Sequence, residues 1–208
     1  MKITDIGIYK GETAYIELED GEKIFVHQSM IYEFHLQKGM DIPQSALDEV
    51  VHANQFRKAK ERALYLLDRK DYSYTELFNK LDGNYDEDIC FAVCNKLAEL
   101  GLINDRRYAE RLAEYYMVTK RFGRYRARQE MARRGIGDRL IDEAIAEYED
   151  TAAERLEELV EQKYERYLTS WKGVEKVKGA LARLGYSYSQ IKDVLDLYDF
   201  DFDEYRPE

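Results

Sequence analysis

The chain has 208 residues, 45% of them apolar, and a formal net charge of −10. That is apolar enough for a packed core, and no run approaches the roughly 18 apolar residues of a membrane span nor the apolar block of a secretory leader, so the expectation is a cytoplasmic globular protein. The total charge argues against a protein that lives by binding bare nucleic acid, yet it hides a change of sign: residues 105–139 carry 11 Lys/Arg against 5 Asp/Glu, a balance of +6 between two acidic flanks.

From Ile3 to Val26 apolar and polar residues alternate, in Ile6/Ile8, Ile16/Leu18 and Ile24/Val26, with breaks at Lys10-Gly11 and Asp20-Gly21. Alternation predicts three short strands, and Asp-Gly is a hairpin signal because the favoured turn needs positive φ at its centre. A short helix follows from about Met30 to Leu36. Beyond Pro43 the spacing is helical almost to the end. Ser45 with Asp48 opens a helix predicted to run, with a kink, through Ala59, Ala63, Leu64 and Leu67. Ser73 with Glu76 forms a capping box ahead of Leu77 and Leu81. Gly83 ends that helix, and another from near Asp86 places Ile89, Val93, Leu97 and Leu100 on one face before Gly101.

This grammar repeats with a period of about fifty: Leu81, Met131 and Leu181, then Gly135 and Gly185, Ile141 and Ile191, Ile145 and Leu195. Further capping boxes are expected at Thr151/Glu154 and Ser187/Gln190. Self-similarity of this length predicts a mainly α protein: an elongated, curved array of three tandem three-helix repeats behind a small strand-rich start. The expected divisions are 1–42 for the strands and short helix, 43–103, 104–149 and 150–198 for the repeats, and 199–208 for an acidic, mobile tail.

The segments ALYLLDRKDYSYTELFNKL, LAELGLINDRRYAERL and RARQEMARRGIGDRLIDEAI, spanning roughly Ala59 to Ile145, together resemble the RecX family of recombinase regulators. The third repeat resembles that family's last repeat more loosely, and the strand-rich start resembles its longer members. Ala127 departs from the pattern, which has isoleucine there. The resemblance implies a protein without catalytic activity or cofactor that binds the RecA recombinase filament on single-stranded DNA. It implies a position along the filament groove, and most often inhibition, in recombination, DNA repair and the SOS response.

The basic island supplies the candidate contacts: Lys120, Arg121, Arg124, Arg126, Arg128, Arg133 and Arg134, which suit phosphates or acidic side chains because guanidinium forks bind both bidentately. Of the interleaved aromatics, Tyr108 and Tyr116, with Leu112, carry the four-residue spacing of a core face. Cys90 and Cys94 are four apart without a nearby histidine and are expected to be half-buried thiols. His27, His35 and His52 match no metal-ligand spacing and are expected at the surface or boundary. No phosphate-cradling glycine loop, H-E-x-x-H or nucleophile elbow occurs, so the expectation is a non-enzyme with no metal, no membrane contact and a monomeric state. Two other readings fit the repeats: an autonomous nucleic-acid-binding protein, and a general helical-repeat interaction scaffold.

Overall fold

Alternation of apolar residues in the first 27 positions becomes an antiparallel sheet in the computed structural model, which describes residues 1–198. Strands β1 (Ile3–Lys10), β2 (Thr13–Leu18) and β3 (Lys23–His27) lie in sequence order, with Ile6 opposite Ile16 and Ile16 opposite Ile24. Gly11 and Gly21 take the positive φ that the two turns require. The inner face closes over α1 (Gln28–Glu33) and the start of α2 (Gln44–Leu67), burying Ile3, Ile16, Leu18, Val26, Met30, Leu47 and Val50.

Helix α1 starts two residues earlier than its apolar spacing suggests, because the His27 ring accepts from the Ser29 amide and acts as its cap. Helix α2 is one uninterrupted element. It begins at Gln44 behind Pro43 rather than on a Ser45 cap, and Gln44 instead donates to Asp48 at 2.7 Å. Its buried stripe is Ala59, Ala63 and Leu66, with Leu64 turned outward, so the sequence spacing was one position off. Then come α3 (Tyr74–Leu81) and α4 (Glu87–Glu99), where Ile89, Val93 and Leu97 are fully buried. Leu100 is the C-cap and 55% exposed, beyond the last turn that could aim it inward. Cys90 and Cys94 are completely rather than half buried, and burial pushes the Cys94 thiol up to about 11.

Two compact units result. One comprises residues 1–71 and 77–102, the other residues 72–76 and the described residues from 103 onward. The second contains two three-helix groups built alike: α5 (Asp105–Glu114), α6 (Arg124–Arg133) and α7 (Asp138–Ala146), then α8 (Ala152–Leu159), α9 (Trp171–Arg183) and α10 (Tyr188–Leu195). The first helix of each group runs into a π-helical turn, at Tyr115–Thr119 and Val160–Tyr164. Each group has its own core, centred on Met131, Ile141 and Ile145 in one and on Leu181, Ile191 and Leu195 in the other. The fifty-residue period therefore marks equivalent core positions. Tyr108 and Tyr116 pack with Leu112, as their spacing implies.

The cap on α10 forms as expected, Ser187 and Gln190 exchanging both hydrogen bonds. The one on α8 does not: Thr151 makes no capping bond to the backbone, and its hydroxyl is taken by the Arg155 guanidinium. The acidic segment 199–208 lies outside the described residues.

Candidate partner interface

Helix α6 carries four of the seven candidate cations, Arg124, Arg126, Arg128 and Arg133, and both of its ends are sealed by other parts of the chain. At its start Gly123 donates to the Leu184 carbonyl at 2.8 Å and Tyr125 to the Gly185 carbonyl at 3.2 Å. The first free amides of α6 thus meet the last free carbonyls of α9, which satisfies both helix ends at once. Gly185 holds a φ of +91°, and a Cβ there would collide with the Arg126 backbone. One on Gly123 would collide with the Gly185 carbonyl.

The other end of α6 meets residues 73–76. Ser73 Oγ donates to the Arg134 carbonyl at 2.5 Å and accepts from the Glu76 amide at 3.0 Å. Glu76 takes Arg134 Nη1 at 3.3 Å and the Tyr108 hydroxyl at 3.4 Å, and Asp105 accepts from the Tyr74 amide at 2.8 Å. Burial, aided by the Glu76 charge, pushes Tyr108 up to about 12. Burial also raises Asp105, against the opposing pull of the Tyr74 amide. A side-chain hydrogen bond with Tyr116 is the main influence holding Arg134 above its ordinary value. Ser73, Glu76, Asp105, Tyr108, Arg134 and Gly135 are among the residues that make the sequence distinctive, and together they form a fastener.

The other candidate contacts fall into three sets. Arg124 pairs with Glu149 and Asp142, and Arg128 with Asp138 at 2.9 Å and with Asp142. Arg126 and Arg133 share Glu130, at 3.9 and 3.2 Å, while Arg126 also covers the Phe122 ring at 4.2 Å and donates to the Arg183 carbonyl at 3.1 Å. Lys120 lies 5.2 Å from the Tyr115 ring centre, and Arg121, at a φ of +53°, donates to Gln162 at 2.8 Å. Asp142, Glu143 and Glu149 lie just past the boundary of the basic segment, and Glu76 well before it. The +6 island is therefore largely neutralised in space by acids that a linear window leaves out. Pairs this exposed contribute little to stability and exchange readily for a stronger ligand, so pairing does not remove these arginines as contacts.

Two clefts open beside α6, and Tyr125, 61% exposed, lines both. One, of about 290 Å³, is bounded by Arg126, Gln129, Glu130, Arg133 and Arg183. The other, of about 350 Å³, includes Arg124, Arg155, Ser187, Ser189 and Gln190. Arg183 and Arg155 stand outside the basic segment, in acidic sequence, and nothing in their spacing marks them. Among the described residues no group of His, Cys, Asp and Glu is arranged to hold a metal ion, and no helix is long and apolar enough to cross a membrane.

Fold and surface define a helical-repeat protein whose second and third three-helix groups join through α6 and α9. The second three-helix domain of RecX matches residues 104–145 and the third matches residues 149–195. A regulatory protein RecX of Streptococcus sanguinis is 30% identical over 206 residues, covering 98% of this chain and 80% of the relative. One from Clostridioides difficile is 31% identical, covering 91% of each chain. The crystal structure of a regulatory protein RecX superimposes with a TM-score of 0.71 at 26% identity, over 94% of this chain and 98% of that one. That of RecX from Lactobacillus salivarius gives 0.64 at 29% identity, over 70% of this chain and 97% of the other. The chain belongs to the RecX family of regulatory proteins.

Proposed function

We propose that this protein binds the RecA filament on single-stranded DNA and inhibits it, lowering ATP hydrolysis, strand exchange and coprotease activity in recombination, DNA repair and the SOS response. The observation that carries the reading is the match to proteins named regulatory protein RecX along almost the whole chain, strands included. It acts in the cytoplasm as a monomer, through binding, with no cofactor. In this reading the strand-rich start, the three repeats at 43–103, 104–149 and 150–198, and the acidic tail are successive modules. The arginine-rich middle repeat meets DNA or the recombinase surface, and the outer repeats meet protein. Inhibition follows because an array seated on the filament obstructs a second strand and favours subunit release.

The test is ATP hydrolysis by the cognate RecA on single-stranded DNA, titrated with this protein from far below to equal stoichiometry. A dose-dependent fall is expected, with no hydrolysis by this protein alone. Unchanged hydrolysis and unchanged strand exchange would exclude the reading.

A further inference from the structure

The arginines that sequence places in one patch are separated in space, and only some of them border an open cleft. Arg126, Arg133 and Arg183 surround the cleft of about 290 Å³, with Glu130 the one carboxylate among its lining residues. Arg133 is 70% exposed at its side chain. No ion pair of Arg183 occurs among the described residues; its carbonyl, not its guanidinium, holds the joint. Three guanidinium groups against one carboxylate make a local positive site in a chain of net charge −10.

The lining contains no large aliphatic side chain, only Ala182, Gly185 and the edge of Tyr125 beside the polar groups. Such a surface offers little to an apolar protein partner and much to an oxyanion, which planar guanidinium forks grip from several directions. Tyr125 adds a flat ring beside those forks. Its backbone is pinned to Gly185, so the ring is presented from a rigid joint rather than a loop. Beyond it the second cleft is lined by Arg124 and Arg155 with Ser187, Ser189 and Gln190, and by one carboxylate, Glu149. Anion donors on both sides of an exposed aromatic ring are what successive nucleotides of an unpaired strand require: phosphates on cations, a base on the ring.

We propose that the seam between the second and third three-helix groups holds single-stranded nucleic acid, with Arg126, Arg133 and Arg183 on the phosphates and Tyr125 stacked on a base. The inference rests on the filament reading and refines it: the DNA contact lies on this seam, while Arg128, paired with Asp138 and Asp142, lines neither cleft. A duplex is disfavoured because its bases are already stacked on one another and leave no free face for Tyr125.

The test is fluorescence anisotropy of a labelled thymidine oligonucleotide at low salt, with the full chain and four single variants. Tyr125→Ala and Arg183→Ala should each weaken binding about tenfold, whereas Tyr125→Phe, which keeps the ring, stays within about twofold of wild type. Arg107→Ala removes an equal charge from an exposed site away from the cleft and should cost less than about twofold. On an abasic oligonucleotide, Tyr125→Ala and wild type should bind alike. Equal losses in Arg183→Ala and Arg107→Ala, an unchanged Tyr125→Ala, or no binding by wild type would overturn the proposal. Variants that lose RecA inhibition with oligonucleotide affinity intact would assign the cleft to acidic protein groups instead. A wild type that binds the oligonucleotide through these residues yet leaves RecA untouched would keep the seam and discard the filament reading.

Discussion

The two joints that fasten helix α6 occupy equivalent places in the repeat but are built from different chemistry. Counting fifty residues along, Ser73 becomes Gly123, Thr75 becomes Tyr125, Glu76 becomes Arg126, and Gly135 becomes Gly185. At the first joint side chains make the connection: Ser73 reaches the Arg134 carbonyl and Glu76 holds both Arg134 and Tyr108. At the second the serine is gone and backbone meets backbone, through Gly123 and Tyr125 on the carbonyls of Leu184 and Gly185. The absence of a side chain at Gly123 lets the two backbone segments approach, and arginine in place of glutamate puts a half-exposed cation over the Phe122 ring and the Arg183 carbonyl. The same architectural position thus carries a side-chain network at one joint and borders an open cleft at the other.

The largest effect should come from closing the space at the backbone joint. Gly185→Ala places a Cβ on Arg126 at a φ of +91° and is expected to cost about 2–4 kcal/mol, read as a lower urea midpoint. Gly135→Ala brings a Cβ to 2.6 Å from the Thr75 Cβ at a φ of +72°, with no backbone atom among its nearest contacts, and should cost somewhat less. Equal losses would show that the two joints are mechanically alike.

Next is the polar joint. Glu76→Ala strips a partner from both Arg134 and Tyr108 and is expected to cost about 1–3 kcal/mol. In a double-mutant cycle with Arg134→Met the two changes should couple by about 0.5–2 kcal/mol, whereas Glu76→Ala and Arg183→Ala, at different joints, should add.

A smaller, pH-dependent effect separates the joints without altering packing greatly. Tyr108, pushed up to about 12 from an ordinary 10.0, keeps its proton in the folded chain where the unfolded chain releases it. Its contribution is therefore complete below about pH 10 and lost as pH rises through about 12. Thermal melts from pH 9 upward should fall more steeply for wild type than for Tyr108→Phe. Parallel curves would show that the phenol carries none of the dependence.

The smallest change is expected at the exposed pairs. Arg139→Ala breaks a contact to Glu143 at 2.8 Å on a side chain that is 84% exposed, and should move stability by no more than about 0.5 kcal/mol. A larger loss would mean that the acid-lined side of α6 and α7 acts as a network.

Much of the fold was legible because its signals are local. Strand alternation, the Ser73 and Ser187 caps, and the positive-φ glycines at 101, 135 and 185 each depend on a handful of neighbouring residues. Thr151 failed as a cap for a reason no local pattern carries: Arg155, one turn on, took its hydroxyl. Leu64 and Leu100 were misjudged because an apolar residue at a helix edge or end satisfies the spacing without facing the core. The seven candidate cations were visible as a cluster, but of their partners only Glu130 is local, since Glu76, Asp142, Glu149 and the Arg183 carbonyl come from other parts of the chain.

The sequence by itself determined the helical repeat, its period, its family and the identity of its basic segment, all properties of residue order. Tertiary structure alone decided which arginines are tied to carboxylates, which seal a helix end and which border an open cleft. Electrostatic pairing depends on distance through space, and packing three helices per repeat brings together charges that lie from three to more than fifty residues apart in the chain.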